Sequence, residues 1–418
     1  MQDTNSIRVH PMLVRAVVEA LHAIFMENRH ADKVIEFVLR NNKKAGSRDR
    51  AFIAETTYEV VRYYRLYAEI LGHTPITHFD FWQICGIHFA VTVKGALPNF
   101  IEFNSLNVQE ILDKYEKLSK QRALRESIPD WMDDYCNKEL PEVWDATLPE
   151  LNKQAKVVLR CNLLKTDRAS LQKALFAEDI DTVAVGTGDA LVLKRRQNVF
   201  KSQAFKDGGF EVQDYSSQLV AHLLAPAPGM RVVDACAGAG GKTLHLAALM
   251  QNKGSIIALD THAWKLDALR LRARRAGVSN IDTRPIENSK VIKRLFGSAD
   301  RLLLDVPCSG LGVLRRNPDS KWKLTPENIE QLRQTQQELL RGYSPIVKPG
   351  GKMVYATCSI LPSENQDQVA SFLKSEAGQE FRLLEEKRIL PQDEGFDGFY
   401  MALMERIIPD PKPGIAMV

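Results

Sequence analysis

Two cysteines stand in matching settings. Cys308 follows the run Leu302-Leu303-Leu304-Asp305-Val306-Pro307 and is succeeded by Ser309-Gly310, while Cys358 follows Val354-Tyr355-Ala356-Thr357 and is succeeded by Ser359. Each is an aliphatic run that breaks into a polar turn, the pattern of a parallel strand buried on both faces. Ligands in open α/β sheets bind beyond the carboxyl ends of such strands, so both thiols and Asp305 are expected at one mouth. A thiolate there is a nucleophile for covalent catalysis, and a second thiol and a carboxylate are groups able to move protons or support charge. The competing explanation is that both are small core residues, cysteine being among the most buried types. Their shared Cys-Ser context beyond strand ends weighs against it. Cys85, Cys136 and Cys161 have no such context and read as core or surface thiols.

A second stretch supplies the partner chemistry. Met230 to Thr243 reads as a strand followed by a Gly/Ala-rich turn that ends in Gly241-Lys242-Thr243, and Leu244 to Met250 as a helix. Small residues let a backbone approach a ligand, and a helix start offers free N–H groups. A phosphate-binding loop would need glycine where Cys236 stands, and a dinucleotide loop would need its third glycine where Thr243 stands. An acid, Asp234, followed by small residues suits a cofactor with a cationic end, such as S-adenosylmethionine. The next strand ends at Asp260, whose carboxylate is able to take both hydroxyls of a ribose; a simple cap or loop acid is the alternative. Two cysteines, an aspartate and a methyl-donor site together fit methylation of an unactivated aromatic carbon. Carbon 5 of cytosine is a poor nucleophile until a thiolate adds to carbon 6, after which a base must remove the carbon 5 proton. Asp305 would bond the ring nitrogen or amine and support the charge that develops.

The rest of the chain must position these groups. Its 418 residues, 44% hydrophobic, suffice for two or three cores. The net charge of +4 neither demands nor excludes nucleic acid, so only local basic clusters bear on it. No CxxC pair or other metal-ligand spacing occurs among the six cysteines, and no metal site is expected. Without a leader-like start or a run near the roughly 18 apolar residues of a membrane span, a cytoplasmic protein with reduced thiols and no membrane partner is expected. Helical spacing over Leu13, Val17, Leu21 and Phe25, then Val34, Phe37 and Val38, then Phe52, Ile53, Thr56, Val60 and Val61 predicts packed helices, with Ser47 as N-cap of the third. Three domains follow: an all-helical domain over 1–127, a small α+β domain over 128–209 and an α/β catalytic domain over 210–418. Arg48 and Arg50 lie in a basic helix junction, and Arg315, Arg316 and Lys321 lie in a basic stretch with Trp322. Both are candidate RNA contacts, solvated surface being the alternative for the first. The basic residues Lys265, Arg270, Arg272, Arg274 and Arg275 read as a solvated helix face.

Asp234-Ala-Cys-Ala-Gly-Ala-Gly-Gly-Lys-Thr243, Asp305-Val-Pro-Cys-Ser-Gly310, Arg315-Arg-Asn-Pro-Asp319 with Trp322, and Tyr355-Ala-Thr-Cys-Ser359 with Glu364-Asn365 resemble the Sun (Fmu) family of RNA cytosine-C5 methyltransferases. The match is strong over 210–404; the middle segment resembles that family's RRM-like subdomain and the N-terminal helices its NusB-like RNA-binding domain. The resemblance implies a Rossmann-like methyltransferase domain, with Cys358 as nucleophile and Cys308 assisting product release. It also implies that Asp234, Cys236, Ala237, Gly238, Ala239, Gly240, Gly241, Lys242, Asp260, Glu287 and Asp305 surround S-adenosyl-L-methionine. DNA cytosine methyltransferases use the Pro-Cys cysteine to attack, so possession of both motifs favours RNA. Ala239 stands where the family usually has Pro, and Glu287 where Asp is commoner. A monomer that makes 5-methylcytosine in 16S ribosomal RNA is the expectation. Transfer RNA as substrate, or an RNA-binding assembly factor with a vestigial site, are the alternatives.

Overall fold

The computed structural model describes residues 9–93, 95, 97–186 and 188–409. They form two compact units, one built from residues up to 153 together with 314–326, the other from 154–313 and 327 onward.

The first unit is helical. Pro11–Phe25, Ala31–Asn41, Ser47–Arg62, Tyr64–Leu71 and His78–Thr92 share one core, and the last of these is buried on every side from Phe81 to Ala90. A helix without a polar face belongs at the centre of its bundle, which is where it sits. Ser47 is the first helical residue and not the cap; Gly46 caps, and its N–H donates to Asp49 Oδ2 at 3.0 Å. Helices Asp130–Glu139 and Trp144–Leu151 also belong to this unit, so the expected boundary after 127 does not coincide with the change of compact unit at 153.

The basic stretch after the Cys308 turn is built into this helical unit. Asp319 Oδ2 accepts from Ala31 N–H at 3.1 Å, capping a helix whose own N-cap, His30, makes no side-chain capping bond. Trp322 donates through Nε1 to the Val61 carbonyl at 2.7 Å and meets Tyr64 edge-on. Lys323 reaches the Arg29 carbonyl at 2.5 Å.

The second unit holds two sheets. Strands β1 (Val158–Cys161), β2 (Thr182–Val185), β3 (Ala190–Leu193) and β4 (Phe210–Val212) pair antiparallel in the order β2-β3-β1-β4. With helices Arg168–Phe176 and Gln203–Lys206 between them, the chain runs β-α-β-β-α-β, the ferredoxin-like arrangement. An expected boundary at 210 would cut β4 from this sheet; the small domain extends through Val212.

The larger sheet comprises β5 (Arg231–Asp234), β6 (Ser255–Asp260), β7 (Ile281–Pro285), β8 (Ala299–Asp305), β9 (Val347–Thr357), β10 (Phe381–Ile389) and β11 (Phe399–Arg406). Their order is β10-β11-β9-β8-β5-β6-β7, with β11 antiparallel to both neighbours and the β7-to-β9 pairings parallel. Residues alternate between faces: Val232, Ile256, Leu303 and Val354 pack with helices Tyr215–Leu224 and Gly241–Leu249, while Val233, Ile257, Leu302 and Leu304 pack with Leu340, Val369 and Phe372. The strand sequence turns back between β5 and β8, which is where a Rossmann-like sheet opens a crevice at its carboxyl edge. Arg272 and Arg275, expected on a solvated face, instead bind buried Glu211 of β4 and so fasten the small sheet to this one. The bidentate fork of two guanidiniums around one carboxylate compensates the burial of its charge.

Candidate active site

β5 delivers Asp234 to the crevice. Its Oδ2 accepts from Thr243 Oγ1 at 2.7 Å, while Oδ1 is buried with no protein partner among the described residues. Burial is the main cause that raises this carboxyl to about 7. The turn that follows is held by the neighbouring strand, for Gly238 N–H donates to Asp260 Oδ2 at 3.0 Å and His262 N–H to Asp260 Oδ1 at 2.7 Å. Gly240 has φ +86°, and a Cβ there would lie 2.0 Å from Leu269, so no other residue fits without moving the helix behind it. Cys236 lies within this turn, and burial pushes its thiol up. It therefore stays protonated. Glu287, expected in the same set, sits exposed beyond the end of β7.

β8 and β9 are adjacent and parallel, with Asp305 opposite Ala356, so their two loops leave the sheet side by side. Cys308 Sγ and Cys358 Sγ are 3.3 Å apart. The hydrogen bond shared with Cys358, and then burial, push the Cys308 thiol well up. Lys242, from the first turn after β5, donates to Asp305 Oδ2 at 2.7 Å and lies over the Phe399 ring. That ion pair links the small-residue turn to the cysteine loops. Gly312 N–H donates to the Cys358 carbonyl at 2.9 Å, and a Cβ on Gly312 would come within 2.7 Å of that oxygen and 2.2 Å of the Gly398 carbonyl.

One residue without an assigned role in the sequence reading holds both loops. Glu364 is fully buried; its Oε1 accepts from Ser309 N–H at 2.8 Å and Gln336 Nε2 at 3.0 Å, and its Oε2 from the hydroxyls of Ser309 and Ser359 at 2.5 Å each. Asn365 adds Nδ2–H to the Ser359 carbonyl at 3.0 Å and accepts from Thr357 Oγ1 at 2.5 Å. The serines that follow the two cysteines are thus anchors for one carboxylate. The Cys-Ser repetition in the sequence was the available signal.

The expected RNA contacts divide. Arg48 is exposed, and half-buried Arg50 donates to the Leu39 carbonyl at 2.7 Å. Arg315 and Lys321 are 4% and 3% exposed and face the helical unit's interior. Arg315 Nη2 bonds the Glu150 carbonyl at 2.8 Å, and Lys321 Nζ the Arg62 carbonyl at 2.7 Å, with burial lowering the Lys321 pKa well below its usual value. Both are corrections: these side chains are buried and donate to backbone carbonyls inside the fold, away from the surface a phosphate would reach. Arg316 is half-buried.

A family model described as 16S rRNA methyltransferase RsmB/F matches residues 221–405, and one described as the RsmF/B-like ferredoxin-like domain matches 128–200. The probable ribosomal RNA small subunit methyltransferase B of Synechocystis is 35% identical over 362 residues, covering 78% of this chain and 81% of its own. The protein of the same description from Bacillus subtilis is 32% identical, over 81% of this chain and 76% of its own. Among solved structures, that of PH0851 superposes with a TM-score of 0.82 at 24% identity, covering 96% of this chain and 100% of that one. A methyltransferase homologue from Pyrococcus horikoshii gives a TM-score of 0.61 at 26% identity, covering 70% of this chain and 99% of that one. No helix among the described residues is long and apolar enough to cross a membrane. With the cysteine pair, the donor turn and these relatives in agreement, the chain belongs to the RsmB/F family of 16S rRNA methyltransferases.

Proposed function

We propose that this chain is an S-adenosylmethionine-dependent methyltransferase that forms 5-methylcytosine in small-subunit ribosomal RNA by covalent catalysis. The observation that carries the proposal is the 3.3 Å approach of Cys308 and Cys358 at the ends of two adjacent parallel strands, with Asp305 on the same edge.

The donor site fits its ligand on structural grounds. Asp234 leaves a buried oxygen without a protein partner, and a Cβ at Gly238 or Gly241 would meet nothing within 4 Å, so the turn borders open space. Asp234, the backbone from Cys236 to Lys242, and Asp260 would hold the cofactor, which supplies an electrophilic methyl group. Glu287, exposed past β7, would join them at the outer edge.

Cys358 as thiolate adds to carbon 6 of a cytosine taken out of its stack, since a stacked base hides that carbon. Asp305 would accept from the exocyclic amine of the ring as electron density moves through it, and its pairing with Lys242 orients the carboxylate. After carbon 5 is methylated, a base takes the proton from that carbon and the bond from Sγ of Cys358 to carbon 6 breaks. Cys308, 3.3 Å from Cys358, is the adjacent group that would take that proton, acting as its thiolate and becoming the thiol as Cys358 leaves.

The test is transfer of labelled methyl from S-adenosylmethionine to unmodified small-subunit ribosomal RNA. Wild type is expected to transfer, Cys358→Ala to lose at least about a thousandfold in turnover, and Cys308→Ala to accumulate a covalent RNA adduct. Full turnover by Cys358→Ala would sink the mechanism. Transfer to purified transfer RNA alone would overturn the substrate.

A further inference from the structure

Asp189, in the turn before β3, His222, in the last turn of helix Tyr215–Leu224, and His245, in helix Gly241–Leu249, take no part in the cysteine site. All three belong to the second unit, and their ligand atoms lie within 4.8 Å of one another. Asp189 Oδ2 is 3.3 Å from His245 Nε2 and 3.8 Å from His222 Nε2. Donors each about 2.0–2.1 Å from a tetrahedral ion stand roughly 3.3 Å from one another. One of the three pairs already has that spacing; Asp189 and His222 stand at 3.8 Å and the two imidazole nitrogens within 4.8 Å, so the His222 ring would turn inward to complete the set.

A hydrogen bond from His245 to Asp189 would by itself account for those two residues. It does not account for His222, which turns its Nε2 to the same carboxylate oxygen and packs its ring edge-on to His245 with centroids 4.8 Å apart. Nor does it account for Gly188, where a Cβ would stand 3.1 Å from His222 Nε2. His245 is fully buried and turns Nε2, the nitrogen 3.3 Å from Asp189 Oδ2, to the cluster. A cavity of about 240 Å³, lined by Gly188, Asp189, Tyr215, Gln218, Leu219 and His222, adjoins the cluster and gives an ion an entry path and room for water. Arg160 opposes a cation here, and the carboxylates of Glu211 and Asp189 beside it offset its charge.

We propose that Asp189, His222 and His245 form a site for one divalent transition ion of the zinc class, with water completing a tetrahedron. Two imidazoles and one carboxylate are a donor set that zinc accepts with an open position. The sequence expectation of no metal rested on cysteine spacing, and these ligands come from three separate segments that only the fold unites. The ion would staple the ferredoxin-like sheet to the helix that begins at Gly241, directly behind the donor turn.

The experiment uses the full chain carrying Cys308→Ser and Cys358→Ser, which removes thiolate competition, stripped with chelator and titrated with Zn²⁺ by calorimetry. One equivalent is expected to bind and to raise Tm. His222→Ala should have the parent's Tm in chelator, lose affinity by about tenfold or more, and gain no Tm with Zn²⁺. His222→Cys loaded with Co²⁺ should show a thiolate-to-cobalt charge-transfer band that the parent lacks, a readout that a purely packing role would not produce. Absence of saturable Zn²⁺ binding, or equal affinity in parent and His222→Ala with no such band in His222→Cys, would overturn the site.

Discussion

Asp234 is the residue whose protonation the fold controls most directly. Burial raises its pKa from 3.8 to about 7, so the folded chain holds a proton that the unfolded chain has released. The stability tied to this group is therefore whole below about pH 4 and is lost as pH rises through about 7. Asp234→Asn cannot ionise. Without cofactor, wild type is expected to lose up to a few kcal/mol relative to this variant between pH 5 and pH 8, measured by denaturant unfolding at both values. An equal change in the two proteins would show that Asp234 titrates in its ordinary range. Lys242 acts on the other carboxylate. Lys242→Met leaves Asp305 without its 2.7 Å partner, and transfer is expected to slow by about tenfold to a hundredfold, read from turnover at saturating RNA.

At the scale of elements, the two cysteine loops are held by a connection that neither strand supplies. β8 and β9 bring the loops side by side, but Glu364, from the short turn Pro362–Glu364 after β9, fixes both through Ser309 and Ser359. Glu364→Gln keeps the volume and replaces an acceptor oxygen by an NH₂ group facing hydroxyls and N–H donors. The expected cost is about 1–3 kcal/mol of stability and roughly a hundredfold in turnover, because displacing a reacting group by about 1 Å is worth that much. Thermal unfolding and single-turnover transfer check the two separately. A variant with lowered Tm and unchanged turnover would make Glu364 a structural residue only.

At the scale of the whole molecule, the chain passes from the catalytic unit into the helical one at Leu314 and returns after Pro326. That excursion supplies a cap and an aromatic anchor to helices nearly three hundred residues earlier in sequence. Asp319→Ala is expected to cost about 1 kcal/mol, the usual value of a lost N-cap, seen as a lowered unfolding midpoint. Lys321→Met should leave the salt dependence of RNA affinity unchanged, because its ammonium is spent on the Arg62 carbonyl. Arg48→Ala should reduce the slope of log affinity against log salt by about one. A reduced slope in Lys321→Met would return that residue to the RNA surface.

Much was legible in the amino-acid order because its determinants are local. An aliphatic run ending in Asp-Val-Pro-Cys-Ser or Ala-Thr-Cys-Ser can hardly be other than a buried strand and its exit turn, and Gly240 answers to a backbone angle that few other residues adopt. The donor turn, Asp305, both cysteines and the strands beneath them could be found that way. Pairings over long separations could not. Arg315 and Lys321 look like a phosphate-binding cluster until the fold buries them against Glu150 and Arg62, since one-dimensional charge carries no information about depth. Short β2 and β4, of four and three residues, have too little length to establish a period, and only pairing with β3 and β1 defines them. Glu364 shows no role until two serines fifty positions apart converge on its carboxylate, and Asp189, His222 and His245 share no spacing at all. Local sequence sets the strands, turns and reactive groups; tertiary structure decides which charges are buried and which distant side chains meet, because burial and proximity are properties of the packed chain.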